Sequence, residues 1–242
     1  MRSFFKLIML KPRNLPFTFR IIKEMILARI FKYPNPAFLV KDYIFETAIR
    51  ENPKSVLHAM DNFAKNKRFL MNVGNEKGAL LVEEIVKLGP EINVLELGSF
   101  CGYSSILMAM NMDQKSQITS LEINGKYAKI AREIIEFSGL SNKITIKVGA
   151  SGNLIPNLKK KFDLIFIDHW KDLYKRDLII IEEHNLIKQG SIIFADNVGP
   201  LFGNKDYLQY VRNNKKFTSR NVASSVEYSS AEDAVEISLY QG

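Results

Sequence analysis

Apolar and polar positions change period along this chain. From Tyr43 onward they repeat with a helical spacing, interrupted at Pro53 and again at Gly74 and Gly78. Beyond residue 90, short apolar runs at 92–97, 118–121, 144–148, 162–167 and 191–195 alternate with amphipathic stretches. Such runs read as buried strands and the intervals between them as helices. The pattern predicts an α/β fold: a Rossmann-like, doubly wound, seven-stranded and mostly parallel sheet with helices on both faces. Segments 225–228 and 234–239 alternate with no helix between them, which predicts an antiparallel hairpin at one edge.

Residues 1–42 depart from this pattern. Apolar runs at 4–10 and 17–31 are punctuated by Pro12, Pro16, Pro34 and Pro36, so the segment reads as short pieces with breaks. Neither run reaches the roughly 18 to 20 uninterrupted apolar residues that span a bilayer, and no small-residue cleavage site follows. The chain therefore divides into a basic, apolar N-terminal extension (1–42) and a main domain (43–242). Two roles fit the extension: helices capping the domain, or a segment lying on an anionic membrane surface.

Charge sharpens this division. Of the formal +8, the first 42 residues carry +7, with nine Lys or Arg against Glu24 and Asp42. The main domain is nearly neutral, which argues against a nucleic-acid partner. With 242 residues, 46% of them hydrophobic, one large core is available. The single cysteine, Cys101, excludes an intrachain disulfide and fits a reducing, cytoplasmic setting. In the turn it reads as a small buried filler. Monomer and homodimer are both compatible with the composition.

Candidate chemistry lies just after the strands, where ligands bind in such sheets. The run at 92–97 ends in Glu96 and enters a turn with Gly98 and Gly102, whose backbone a ligand can approach. The turn lacks both G-x-G-x-x-G and Gly-Lys-Ser/Thr, which disfavours a phosphate-rich ligand. Glu122 ends the second run, where a carboxylate accepts from ribose hydroxyls, so an adenosine moiety is indicated. The third run is followed by Gly149, Ala150 and Ser151.

Asp168 ends the fourth run, and Asp196 and Asn197 end the fifth. Two carboxylates and an amide carbonyl are hard oxygen donors suited to a Mg²⁺-type ion. The alternative is that Asp196 caps the following turn and Asn197 sits within it. Lys171 follows Asp168 by three residues. Near a divalent cation its pKa falls and it serves as general base; alone, it reads as a solvated surface lysine.

The stretches Met71-Asn72-Val73-Gly74, 96–104, 148–151, Asp168-His169-Trp170-Lys171-Asp172, Ala195-Asp196-Asn197-Val198 and Val226-Glu227-Tyr228 resemble the catechol O-methyltransferase family, in order and spacing, over about residues 52–240. The resemblance implies a class I S-adenosylmethionine-dependent methyltransferase that methylates one catechol hydroxyl with Mg²⁺. Carried over by position, Asp168, Asp196 and Asn197 bind the metal, and Lys171 deprotonates the attacking hydroxyl. Asp168, Trp170, Lys171, Asn197 and Glu227 contact the catechol, Glu227 accepting from the second hydroxyl. S-adenosylmethionine is implied to contact Met71, Val73, Glu96, Gly98, Tyr103, Ser104, Glu122, Ile123, Ser151, Asp168, His169 and Trp170.

Departures from the family pattern bear on the acceptor. Phe69 stands where a Trp is frequent, Phe100 where a Tyr is usual, and Gly152 replaces a Gln beside the adenine. The loop before Phe162 is also shorter than in the mammalian enzymes. Another vicinal dihydroxy phenolic, such as a caffeoyl-type ester or a bacterial metabolite, is the competing substrate. A noncatalytic adaptor retaining the fold is the competing class.

Overall fold

The computed structural model describes residues 11–242, so the apolar run at 4–10 lies outside the described residues. Among the described residues, four α-helices precede the sheet: α1 (Leu15–Arg29), α2 (Pro36–Thr47), α3 (Pro53–Asn66) and α4 (Gly74–Leu88). The remainder runs β1 (Asn93–Leu97), α5 (Tyr103–Met110), β2 (Gln117–Glu122), α6 (Gly125–Phe137), β3 (Ile144–Val148), α7 (Ser151–Leu154), β4 (Phe162–Ile167), α8 (Tyr174–Glu183), β5 (Ile187–Ala195), α9 (Lys205–Asn213), β6 (Phe217–Ser225) and β7 (Glu232–Tyr240).

Local chemistry explains the helix starts. Pro16 and Pro36 open helices instead of breaking them, because a first-turn proline sacrifices no intrahelical hydrogen bond. Asn35, Asn52 and Asn124 cap α2, α3 and α6, accepting from Ala37, Ser55 and Lys126 backbone N–H groups. Helix α2 runs straight through the expected 42/43 boundary, since Ala37, Val40 and Ile44 form one buried stripe.

The seven strands lie in the order β3-β2-β1-β4-β5-β7-β6. The first five are mutually parallel, and β7 pairs antiparallel with both β5 and β6. Side chains alternate between two apolar layers: Val94, Leu164 and Phe166 join one, and Leu95, Leu97, Ile165 and Ile167 the other.

The edge hairpin is present, but its first arm is β6 (Phe217–Ser225), not 225–228. Residues 226–231 are the connection. Strand β6 is a polar edge strand, so apolar alternation marks it weakly.

Strand order reverses direction between β1 and β4, which opens a crevice at the carboxyl ends. The ladder continues one residue past each strand. Gly98 N–H donates to Leu121 O, Asp168 to Leu97, Asp196 to Ile167 and Gly149 to Glu122, at 2.9–3.0 Å. These bonds line up the tips that carry the site.

Candidate active site

A cavity of about 670 Å³ lies over the tips of β1, β2 and β4. Of the residues expected to meet the cofactor, Met71, Val73, Gly98, Tyr103, Ser104, Glu122, Ile123, Ser151, Asp168, His169 and Trp170 line it. Gly98 has φ of +101°, and a Cβ there would stand 2.7 Å from the Asp168 carbonyl oxygen. No side chain fits, so the turn lies directly against the end of β4.

Glu96 is the exception. It is completely buried behind the turn, where it accepts from the hydroxyls of Ser104, Ser105 and Ser120. Burial raises its pKa to about 7 against the lowering effect of those hydroxyls. It holds Ser104 from below and does not reach the cavity wall.

Glu122 accepts from the backbone N–H groups of Phe100 (2.9 Å) and Asn124 (2.8 Å). Its carboxylate retains free lone pairs for further donors. The Phe100 ring meets Tyr127 edge-on at 5.2 Å, so the turn keeps an aromatic wall with Phe where Tyr is usual. His169 stacks on Tyr174 and pairs through Nε2 with Asp177 at 2.7 Å, leaving Nδ1 buried without a partner. Asp177 also accepts from Ser151 and Arg176. Burial would raise its pKa, but the bonds from His169, Ser151 and Arg176 outweigh burial and lower it.

Asp168, Asp196, Asn197 and Lys171 converge as the strand order requires. Lys171 Nζ donates to Asp168 Oδ1 (3.1 Å), Asn197 Oδ1 (2.8 Å) and the Tyr174 hydroxyl (2.7 Å). Asp196, Asn197 and Glu227 lie deeper than the main cavity and are buried. Glu227 instead lines a second cavity of about 490 Å³ that shares Val73 with the first.

Beneath these groups sits Lys77 of α4, fully buried. Its ammonium contacts Asp196 (2.7 Å), Glu227 (2.5 Å) and Asp233 (2.8 Å). Burial alone would lower its pKa, yet the three carboxylates hold it well above the ordinary value. Burial likewise raises Asp196, and raises Glu227 to about 7. Among the described residues, the carboxyl groups of Asp168, Asp196, Glu227 and Asp233 meet two lysines, Lys77 and Lys171, so carboxyl groups outnumber amines by two. Asp196 Oδ2 has no hydrogen-bond partner. Among the described residues, no group of three or more His, Cys, Asp and Glu is arranged around a metal position.

Of the seven non-glycine residues with positive φ among the described residues, Phe100, Asn197 and Tyr228, at +45°, +53° and +55°, stand beside the site.

Several residues escape a reading of the sequence. Lys77 carried one signal, a lysine on the stripe of α4 that buries Gly74, Gly78, Leu81 and Ile85. Asp233 carried none: it accepts from Lys77 and from Asn197 Nδ2 (2.9 Å), fixing which way that amide faces. Arg176 lies 3.2 Å from where a Gly152 Cβ would stand, taking up the space that the missing Gln leaves. Trp170 is 73% exposed at the cavity mouth, and Met71 is 36% exposed. Neither forms a sealed wall. Burial pushes the Cys101 thiol up, as suits an inert filler.

The glycine turn, the acidic tip of β2 and the cavity above them define a class I S-adenosylmethionine-dependent methyltransferase. A family model described as O-methyltransferase matches residues 48–240, and the chain belongs to that family. It is 39% identical to catechol O-methyltransferase B of Danio rerio over 227 residues, covering 92% of this chain and 85% of that one. It is 40% identical to catechol O-methyltransferase of Mus musculus over 196 residues, covering 79% and 73%. The fold matches the O-methyltransferase TomG of Streptomyces achromogenes, in complex with SAM, with a TM-score of 0.66 at 19% identity, covering 77% and 89%. The chain is thus an S-adenosylmethionine-dependent O-methyltransferase.

Proposed function

We propose that this enzyme methylates one hydroxyl of a catechol, in a Mg²⁺-dependent reaction with Lys171 as general base. The observation that carries this reading is the cluster in which four carboxyl groups, three of them buried, meet two lysines. Isolated buried charges are costly, and a divalent cation would offset the carboxylates that the lysines leave unpaired. The orphaned Asp196 Oδ2 and the oxygens of Asp168 and Asn197 fit such an ion. When bound, it would supply Lewis acidity that lowers the pKa of a catechol hydroxyl.

The protein's own groups supply the rest. Lys171 Nζ, held between Asp168, Asn197 and Tyr174, would take the hydroxyl proton once it has itself given up a proton, which frees the lone pair a base needs. Glu227, fixed by Lys77, accepts from the second hydroxyl. Glu122 and the Gly98 turn would hold adenosine and the methionine end, and His169 and Trp170 would border the adenine. Orientation of acceptor oxygen and sulfonium is worth about 7–11 kcal/mol in favourable cases.

The test is labelled-methyl transfer across a panel of catechols, caffeoyl-type esters and monophenols, with and without EDTA. Chelation should abolish transfer, and Mg²⁺ should restore it. Transfer to monophenols that survives chelation refutes the metal reading.

The setting proposed is cytoplasmic, with α1 packed on the domain as a cap through Phe17 and Glu24 and its outer face left for peripheral membrane contact. Among the described residues no helix is long and apolar enough to cross a membrane. The exposed Phe19, Met25, Ile30 and Phe31, interspersed with Lys23, Arg29 and Lys32, support contact with an anionic surface. Cosedimentation with phosphatidylserine vesicles tests it, and equal recovery with neutral vesicles counts against it.

A further inference from the structure

Helix α1 lies outside the stretch that the family model matches, yet it touches the loops that carry acceptor-side residues. Phe17 is buried in an apolar cluster with Phe69, Leu201, Val226 and Ala231, and meets the Phe69 ring edge-on at 5.7 Å. Three separate loops supply those partners. Residues 67–73 lead to Met71 and Val73, 196–204 carry Asn197, and 226–231 carry Glu227.

Polar contacts bind the same loops. Arg13 Nε donates to Ser230 O (2.7 Å), and Ser230 Oγ donates back to Arg13 O (2.8 Å). Asn14 accepts from Glu232 N–H (3.2 Å). Arg20 donates to Ala64 O, Lys65 O and Tyr228 O, and Glu24 forms a fork with Arg68 at 2.7–3.0 Å. Helix α1 therefore joins the end of α3 to the connection between β6 and β7. Those two segments are over 150 residues apart in sequence, and the second is an irregular stretch outside the β6–β7 ladder.

We propose that Phe17 is a positioning residue of the acceptor site: it locks the 226–231 connection against the 201–202 and 67–69 segments and so fixes Glu227 and the width of the acceptor pocket. The claim rests on the reading above that the acceptor is held at Glu227. The 226–231 connection has two backbone hydrogen bonds of its own, Val226 N–H to Ala231 O and Ser229 N–H to Val226 O, and otherwise relies on side-chain contacts, so losing the central ring loosens it locally without unfolding the sheet. Cofactor residues at the tips of β1, β2 and β4 lie outside the cluster and keep their places, so any change in cofactor affinity comes through Met71 and Val73 alone, which follow the 67–69 segment.

The experiment compares wild type with Phe17→Ala and Phe17→Leu in the full chain, the leucine variant keeping the comparison valid if the alanine variant folds poorly. Hydrogen exchange of residues 226–231 should speed up by about tenfold or more in Phe17→Ala, with α5 and β2 unchanged. The acceptor KM should rise about five- to tenfold with kcat within threefold. Affinity for S-adenosylhomocysteine should stay within about twofold, and Phe17→Leu should recover most of the loss.

Unchanged exchange at 226–231 overturns the proposal. So does a joint loss of acceptor and S-adenosylhomocysteine affinity with exchange accelerated throughout, since that marks global loosening. A wild-type enzyme inactive on every vicinal diol sinks the acceptor reading alone, and local exchange still decides whether Phe17 holds the loop.

Discussion

Replacing Lys77 by Met tests whether a single buried ammonium holds the acidic heart of the site together. The substitution keeps a linear side chain of similar volume and removes only the charge. Lys77 and its three partners are at most 1% exposed at the side chain, so water cannot compensate. Breaking a buried ion pair from one side costs about 3–5 kcal/mol. For a domain of this size that lowers Tm by about 6–20 °C, taking about 2–4 °C per kcal/mol.

The pH dependence carries a second signature. In the wild type Glu227 has a folded pKa of about 7 against an ordinary value of 4.5. Between these values the folded state holds a proton that the unfolded state has released, so stability falls as pH rises through the window. Without Lys77 the carboxyl groups of Asp196 and Glu227 move further up, extending the loss above pH 7. Thermal and urea unfolding in EDTA at pH 5 to 8.5 measures both effects. Adding Asp233→Asn should recover part of the loss, because the pair is coupled. A destabilisation under about 1 kcal/mol with an unchanged pH slope refutes the claim that Lys77 neutralises this cluster.

Four shorter tests address the rest of the site. Glu96→Gln removes the other carboxylate raised to about 7, and should flatten the decline in stability between pH 4.5 and 7 in urea titrations; an identical slope contradicts its burial as an acid. Lys171→Ala should lower kcat by about 10²- to 10⁴-fold while S-adenosylhomocysteine affinity by calorimetry is retained; a loss under threefold removes it as the base. Asp233→Ala frees the Asn197 amide to turn, and should weaken Mn²⁺ binding in a spin-resonance titration by about 10- to 100-fold, an unaltered affinity being the contrary result. Gly74→Ala places a Cβ 2.7 Å from Glu227 Cγ at φ of +69°, so it should destabilise by about 1–3 kcal/mol in urea unfolding; a neutral effect contradicts the close approach.

What the sequence determined is local. Five apolar runs became β1 to β5 within a few residues at their ends, because the central strands β1, β4 and β5 are covered by helices on both faces and the edge strand β3 still buries alternate apolar residues. Once those strands are parallel, the residues following each one share a rim, which is why Asp168, Asp196, Asn197, Glu122 and the Gly98 turn could be placed together from spacing alone. The polar edge strand β6 was not legible, since one-sided pairing and solvent exposure demand no apolar alternation. Tertiary structure decided everything that depends on distant segments meeting. Lys77 reaches Asp233 across 156 residues, Glu96 faces inward to three serines, and Phe17 seats among loops from three parts of the chain. A charged or aromatic side chain has the same local pattern whether water or a carboxylate meets its end, and only the packed fold determines which.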